Sequence, residues 1–206
     1  MPMTRMILGA ARVGGAAAVV ALSAGVALAH GGAGHGGGLE GGFLSGFTHP
    51  ILGWDHVAAM VAVGLWGAFL GRPAIWILPI VFPMVMAVGA ALGILGVGLP
   101  QVETGIALSA VVLGLMILLA ARPPLLVSAL LVGAFAIFHG HAHGTELPAT
   151  ANAAAYAVGF VISTGLLHLG GIALGVLTRW RTGRVLVRGA GAAISVAGVA
   201  FLTGAV

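Results

Sequence analysis

Residues 49–70 read HPILGWDHVAAMVAVGLWGAFL. From Val57 to Leu70 every residue is apolar or glycine, while the first eight positions hold His49, Asp55 and His56. An apolar run of this length reads as a membrane-spanning helix, which needs roughly 20 residues. An ionised side chain at the centre of such a span costs about 2.5–3.5 kcal/mol on insertion scales, so polar groups inside spans usually serve a function. The stretch therefore decides the fold class and also marks a candidate site.

The rest of the chain agrees. Of its 206 residues 60% are hydrophobic and 6% charged, where a soluble domain carries about a quarter charged residues. The expected fold is all-α, a polytopic membrane bundle with almost no room for a soluble domain. The sequence pI of about 11.5 is not a nucleic-acid signal. It arises from eight Arg, no Lys and four acids, and the arginines are scattered between apolar segments instead of lining a phosphate track. Nucleic acid is excluded as a partner; the lipid bilayer is the expected one, and a homo-oligomer is compatible with the sequence. Cysteine is absent, which removes disulfides, thiolate metal sites and a cysteine nucleophile.

Residues 1–29 have the form of a secretory signal peptide: Arg5 and Arg12, then VGGAAAVVALSAGVALA, with Ala27-Leu28-Ala29 as the cleavage site before His30. The alternative is an uncleaved first transmembrane helix, and both place the following chain outside the cytoplasm. Residues 30–46 are expected to form a Gly/His-rich periplasmic tail, in which HGGAGHGGGLEGG is too flexible for a core. Residues 47–206 are expected to form a six-helix permease domain with segments near 47–70, 74–98, 103–121, 124–143, 150–177 and 186–205. GRP, GLPQ, RPP, GTELP and TRWRTGR punctuate them. Arg72, Arg122, Arg179, Arg181, Arg184 and Arg188 fall in or beside the connections after the first, third and fifth segments, while Glu40, Glu103 and Glu146 lie on the other side. The positive-inside rule makes the arginine connections cytoplasmic and both mature termini external, in a bacterial inner membrane. Pro79 and Pro83 are expected to bend the second segment, and Gly89 with Gly93 to let helices approach closely.

On a continuous helix His49 and His56 nearly eclipse one another, with His56 roughly 10 Å deeper, Met60 one turn further along the stripe, and Asp55 about 100° away. Pro50 then suits the first turn. In FHGHAHGTELP (138–148), His139, His143 and Glu146 take one face, His141 points elsewhere, and Gly140 and Gly144 leave room for a neighbouring backbone or an ion. Both clusters belong to the outer half of the membrane. Imidazole with carboxylate suits Ni²⁺, Co²⁺, Zn²⁺ and Cu²⁺ alike, with Asp55 either a ligand or the acceptor that orients a histidine; a structural His–Asp network is the alternative. His168, in the inner half, is either a second stop on an inward path or a packing residue bonded to Ser163 or Thr164. His30 and His35 are either metal-capturing or plain linker.

These motifs resemble a known family. HPILGWDHVAAMVAVGLWG resembles the first signature of the HupE/UreJ family of nickel permeases, FHGHAHGTELP its second, and GLLHLGGI (165–172) fits its fifth span. The resemblance covers nearly the whole chain. It implies a nickel, sometimes cobalt, transporter serving hydrogenase or urease maturation, without a permanent cofactor. By position it assigns His49, Asp55 and His56 to the first motif and His139, His143 and Glu146 to the second; Glu103 matches a functional acid near the third span without a motif to anchor it. The H-x5-D-H spacing differs from the H-x4-D-H of the larger nickel–cobalt permeases.

The chain contains no phosphate-binding loop. Moving a dication inward across about 100 mV releases about 4.6 kcal/mol, over three decades of concentration. The expectation is a non-enzymatic uptake of a divalent ion. An intramembrane zinc hydrolase using the same His/Asp cluster and a non-transporting sensor or assembly subunit are the competing readings.

Overall fold

In lipid, backbone N–H and C=O groups must be satisfied within the protein, and a helix does this inside one segment. The computed structural model, which describes residues 39–147 and 152–205, accordingly holds seven α-helices and, among those residues, no strand. The expected signal peptide, His30 and His35 lie outside the described residues. The helices are α1 (Leu39–Leu52), α2 (Trp54–Leu70), α3 (Ala74–Ile94), α4 (Val102–Leu118), α5 (Leu125–Thr145), α6 (Ala153–Val176) and α7 (Arg181–Thr203), with a 3₁₀ turn, Leu177–Arg179, before α7. Four of them, α3, α5, α6 and α7, are long and apolar enough to cross a membrane; α1 and α2 qualify together as a fifth span bent by 80°. α4, at 17 residues, is shorter.

The bend corrects the expectation of one straight helix over 47–70. Gly53 takes an extended conformation (φ −88°, ψ 106°) and caps α2, so Pro50 sits near the end of α1 and not in a first turn. α1 also starts within the stretch expected to be a tail. Glycine disfavours an isolated helix, but Gly42 and Gly46 share a face of α1 that lies against α6. An added Cβ at either would run into the backbone at Asn152 or Tyr156. Close packing overrides propensity here.

α2 is apolar on all sides and buried on nearly all of them, from Ala59 through Gly67, as expected of a central helix. It packs on α3, α4, α6 and α7, while α3 pairs with α5 and α4 with α7. Lipid is as apolar as leucine, so association rests on close van der Waals packing between small residues. At the α3–α5 seam Gly89 and Gly93 face Ile137 and His141, and Gly140 and Gly144 face Met86 and Ala90, backbone against backbone. α3 remains helical through Pro79 and Pro83.

At one end of the bundle Trp66 Nε1 donates to Ala121 O (3.2 Å), Arg188 Nε donates to Leu118 O (2.7 Å), and Arg122 lies 4.6 Å over the Phe69 ring. The arginine-bearing connections after α2 and α4 and the start of α7 thus gather there. The histidines of α1, α2 and the end of α5 gather at the other end.

Candidate metal centre

The 80° break creates the site. His49 is in the last turn of α1, and Asp55 and His56 are in the first turn of α2. The two histidines therefore come from different helices, with ring centroids 6.3 Å apart, and not from one stripe separated by two turns of rise. Asp55 Oδ1 accepts from the His56 backbone N–H (2.8 Å) and lies 2.7 Å from His56 Nδ1. A proton on Nδ1 held by this carboxylate leaves Nε2 with its lone pair free. His56 Nε2 is buried and has no partner among the described residues.

α5 supplies the other wall. His139 and His143 stand one turn apart, and Glu146 follows at the C-cap. The His143 ring lies 4.8 Å from that of His49 and 4.5 Å from that of His56, and His56 lies 5.0 Å from His139. Glu146 Oε2 is 3.4 Å from His49 Nε2 at the open end, and Ser109 Oγ is 3.0 Å from His139 Nε2 at the closed end. Side-chain exposure falls from 51% at Glu146 and 31% at His49 to residue values of 4% at His143 and 0% at His139. The result is a column of imidazoles that leads from a half-exposed carboxylate into a sealed interior.

At its mouth His49, His143 and Glu146 each offer a donor atom, all within 4.8 Å of one another. Bonds of about 2.1 Å to a tetrahedral ion would put donors about 3.4 Å apart. Neither nitrogen of His143 has a hydrogen-bond partner among the described residues.

The same two segments carry a wider likeness. The family model described as HupE / UreJ protein matches residues 17–201. The chain belongs to the HupE/UreJ family. It is 48% identical over 163 residues to Protein HupE of Rhizobium leguminosarum bv. viciae, covering 79% of this chain and 85% of that protein. No solved structure matches it.

In this HupE/UreJ fold the other residues singled out by sequence scatter. Met60 is fully buried one turn below His56. His141 points away from the column, and its Nε2 lies 2.8 Å from Val97 O, tying α5 to the segment after α3. Glu103 is exposed in the first turn of α4 and outside the donor set. His168 is buried on α6 and bonds neither Ser163 nor Thr164, whose hydroxyls likewise have no partner among the described residues. Two residues escaped the motif reading. Ser109 abuts His139, and Tyr156, the one tyrosine of the chain, has its ring 6.1 Å from His49 and a buried hydroxyl with no partner among the described residues. A polar residue isolated in an apolar helix was the available signal for both.

Proposed function

We propose that this chain is a permease that carries a divalent transition-metal ion, Ni²⁺ foremost and Co²⁺ second, from the periplasm to the cytoplasm. The reading rests chiefly on the imidazole column, whose unpartnered nitrogens run inward from Glu146 and His49. The HupE/UreJ family is associated with nickel and cobalt transport, and imidazole with carboxylate fits such ions without selecting among them. The membrane potential supplies the drive. Glu146 and His49 collect the ion, His143 and His56 hold it as its water is stripped, and Asp55 keeps the His56 ring in its ligating tautomer.

Counting the bent α1–α2 pair and the short α4 as spans gives six, with the arginine end cytoplasmic and the histidine end periplasmic after removal of the signal peptide. The site lies in the bacterial inner membrane and feeds hydrogenase or urease maturation. No observation favours the hydrolase reading. Radioactive nickel should enter proteoliposomes containing the wild-type chain, and His143→Ala should reduce the rate at least tenfold with normal insertion. Unchanged uptake by that variant sinks the site; competition by Co²⁺, Zn²⁺ and Cu²⁺ in the same assay reads selectivity.

A further inference from the structure

Beyond the column, polar groups stay buried without partners. His168 Nε2 and Thr164 Oγ1 belong to residues at most 2% exposed, and neither has a hydrogen-bond partner among the described residues. Buried polar atoms are almost always paired, so such orphans call for an occupant that comes and goes. Thr164 and His168 are one turn apart and share a face of α6. The same i, i+4 stripe carries Tyr156 beside His49 and Phe160 beside His143. His168 thus continues the path of the column, eight residues or about 12 Å beyond Phe160.

One ring stands between. Phe82, fully buried, has its centroid 5.4 Å from that of His139 and 5.5 Å from that of His168. No hydrogen bond joins the two histidines. Phe82 belongs to α3 between Pro79 and Pro83. Each proline lacks an N–H, so the carbonyls of Ile75 and Pro79 lose their helical donors. The ring therefore rides on the stretch of α3 least held by main-chain bonds.

We propose that Thr164 and His168 form a second, deeper stop for the same divalent cation, with the Phe82 ring as the apolar barrier between it and His139. The transport role rests on the uptake reading above; the second site does not. Two weak sites divided by a dry constriction let an ion be held and still leave.

Calorimetric titration of the purified full chain with Ni²⁺ should find two ions per chain, the second weaker. His168→Gln should bind one, with the stronger affinity within twofold of wild type. Thr164→Val, which keeps shape and loses only the hydroxyl, should weaken the second ion about tenfold and carries the test if the glutamine variant misfolds. Phe82→Leu should keep both ions and speed Ni²⁺ flux into proteoliposomes severalfold, while Phe82→Trp slows it. A single ion in the wild type, two unaltered ions in both α6 variants, or unchanged flux in both Phe82 variants overturns the proposal. Two ions without flux leaves the second site standing and refutes uptake; flux with one ion does the reverse.

Discussion

Replacing His143 with leucine should stabilise the metal-free protein and remove most of its response to metal. His143 is 4% exposed, its ring lies among those of His49, His56 and Phe160, and neither nitrogen has a partner among the described residues. Each unsatisfied buried polar atom costs about 1–3 kcal/mol, so the imidazole holds about 2–6 kcal/mol of unrelieved desolvation. A hydrophobic replacement of similar volume loses less than about 1.5 kcal/mol to repacking. A net gain of about 2 kcal/mol corresponds to a rise of about 4–8 °C in melting temperature for a chain of this length. Ni²⁺ at about a hundred times its Kd adds about 2.7 kcal/mol to the wild type, which brings it level with the variant. The variant, lacking the central donor, should move by less than about 1 kcal/mol. Intrinsic fluorescence melts in detergent, with Ni²⁺ or with chelator, read all four states from the native tryptophans. A metal-free variant that melts below wild type, or equal Ni²⁺ shifts in the two proteins, refutes the idea that His143 is an unloaded ligand.

Asp55→Asn keeps the shape of the cap but weakens the hold on His56 Nδ1 at 2.7 Å; titration should show metal affinity reduced about 10- to 100-fold, and an unchanged Kd argues against an orienting role. Gly140→Ala pushes a methyl into the α3 backbone at Met86 and should destabilise by about 1–3 kcal/mol. Gly165→Ala, where nothing lies within 4 Å, should be neutral or stabilising by up to about 1 kcal/mol; equal melting temperatures for the two variants contradict the close α3–α5 approach. Arg188→Ala removes the bond to Leu118 O, and its exposure limits the loss to about 1 kcal/mol, measured as a denaturation midpoint.

Most of the helical segments were legible because lipid demands long apolar runs, and proline, glycine and arginine mark the turns between them. The small-residue faces of α3 and α5 were legible too, as Gly89 with Gly93 and Gly140 with Gly144 stand at four-residue spacing, but that they meet each other, backbone on backbone, was not: spacing marks room for a neighbour without naming it. The break at Gly53 was not. A single glycine within an apolar run is compatible with a continuous helix, and what decides against continuity is distant, in the packing of Gly42 and Gly46 on α6. The misreading of the break carried the geometry of His49 and His56 with it, although their membership in one cluster survived. His168 illustrates a different limit. Its chemistry was visible in sequence, but the absence of a bond to Ser163 or Thr164 depends on rotamers that spacing does not specify.

Charge sets a further constraint on the proposed cargo. The C-terminal ends of α1 and α5 meet at His49 and His143, and helix C-termini carry about half a negative charge each, while Asp55 offsets the positive N-terminal end of α2. Asp55 and Glu146 together neutralise a dication; a monovalent ion leaves one negative charge over. The two carboxylates are not equivalent, because the side chain of Glu146 is 51% exposed and that of Asp55 25%. Screening over about 10 Å at 0.1 M salt reaches the former far more than the latter. Glu146→Gln should therefore weaken Ni²⁺ binding several-fold at low ionic strength and hardly at all in 0.5 M salt, whereas the loss in Asp55→Asn should persist at both. The opposite pattern would move the charge that holds the ion from the interior of the column to its mouth, and leave Glu146, not Asp55, as the residue on which retention depends.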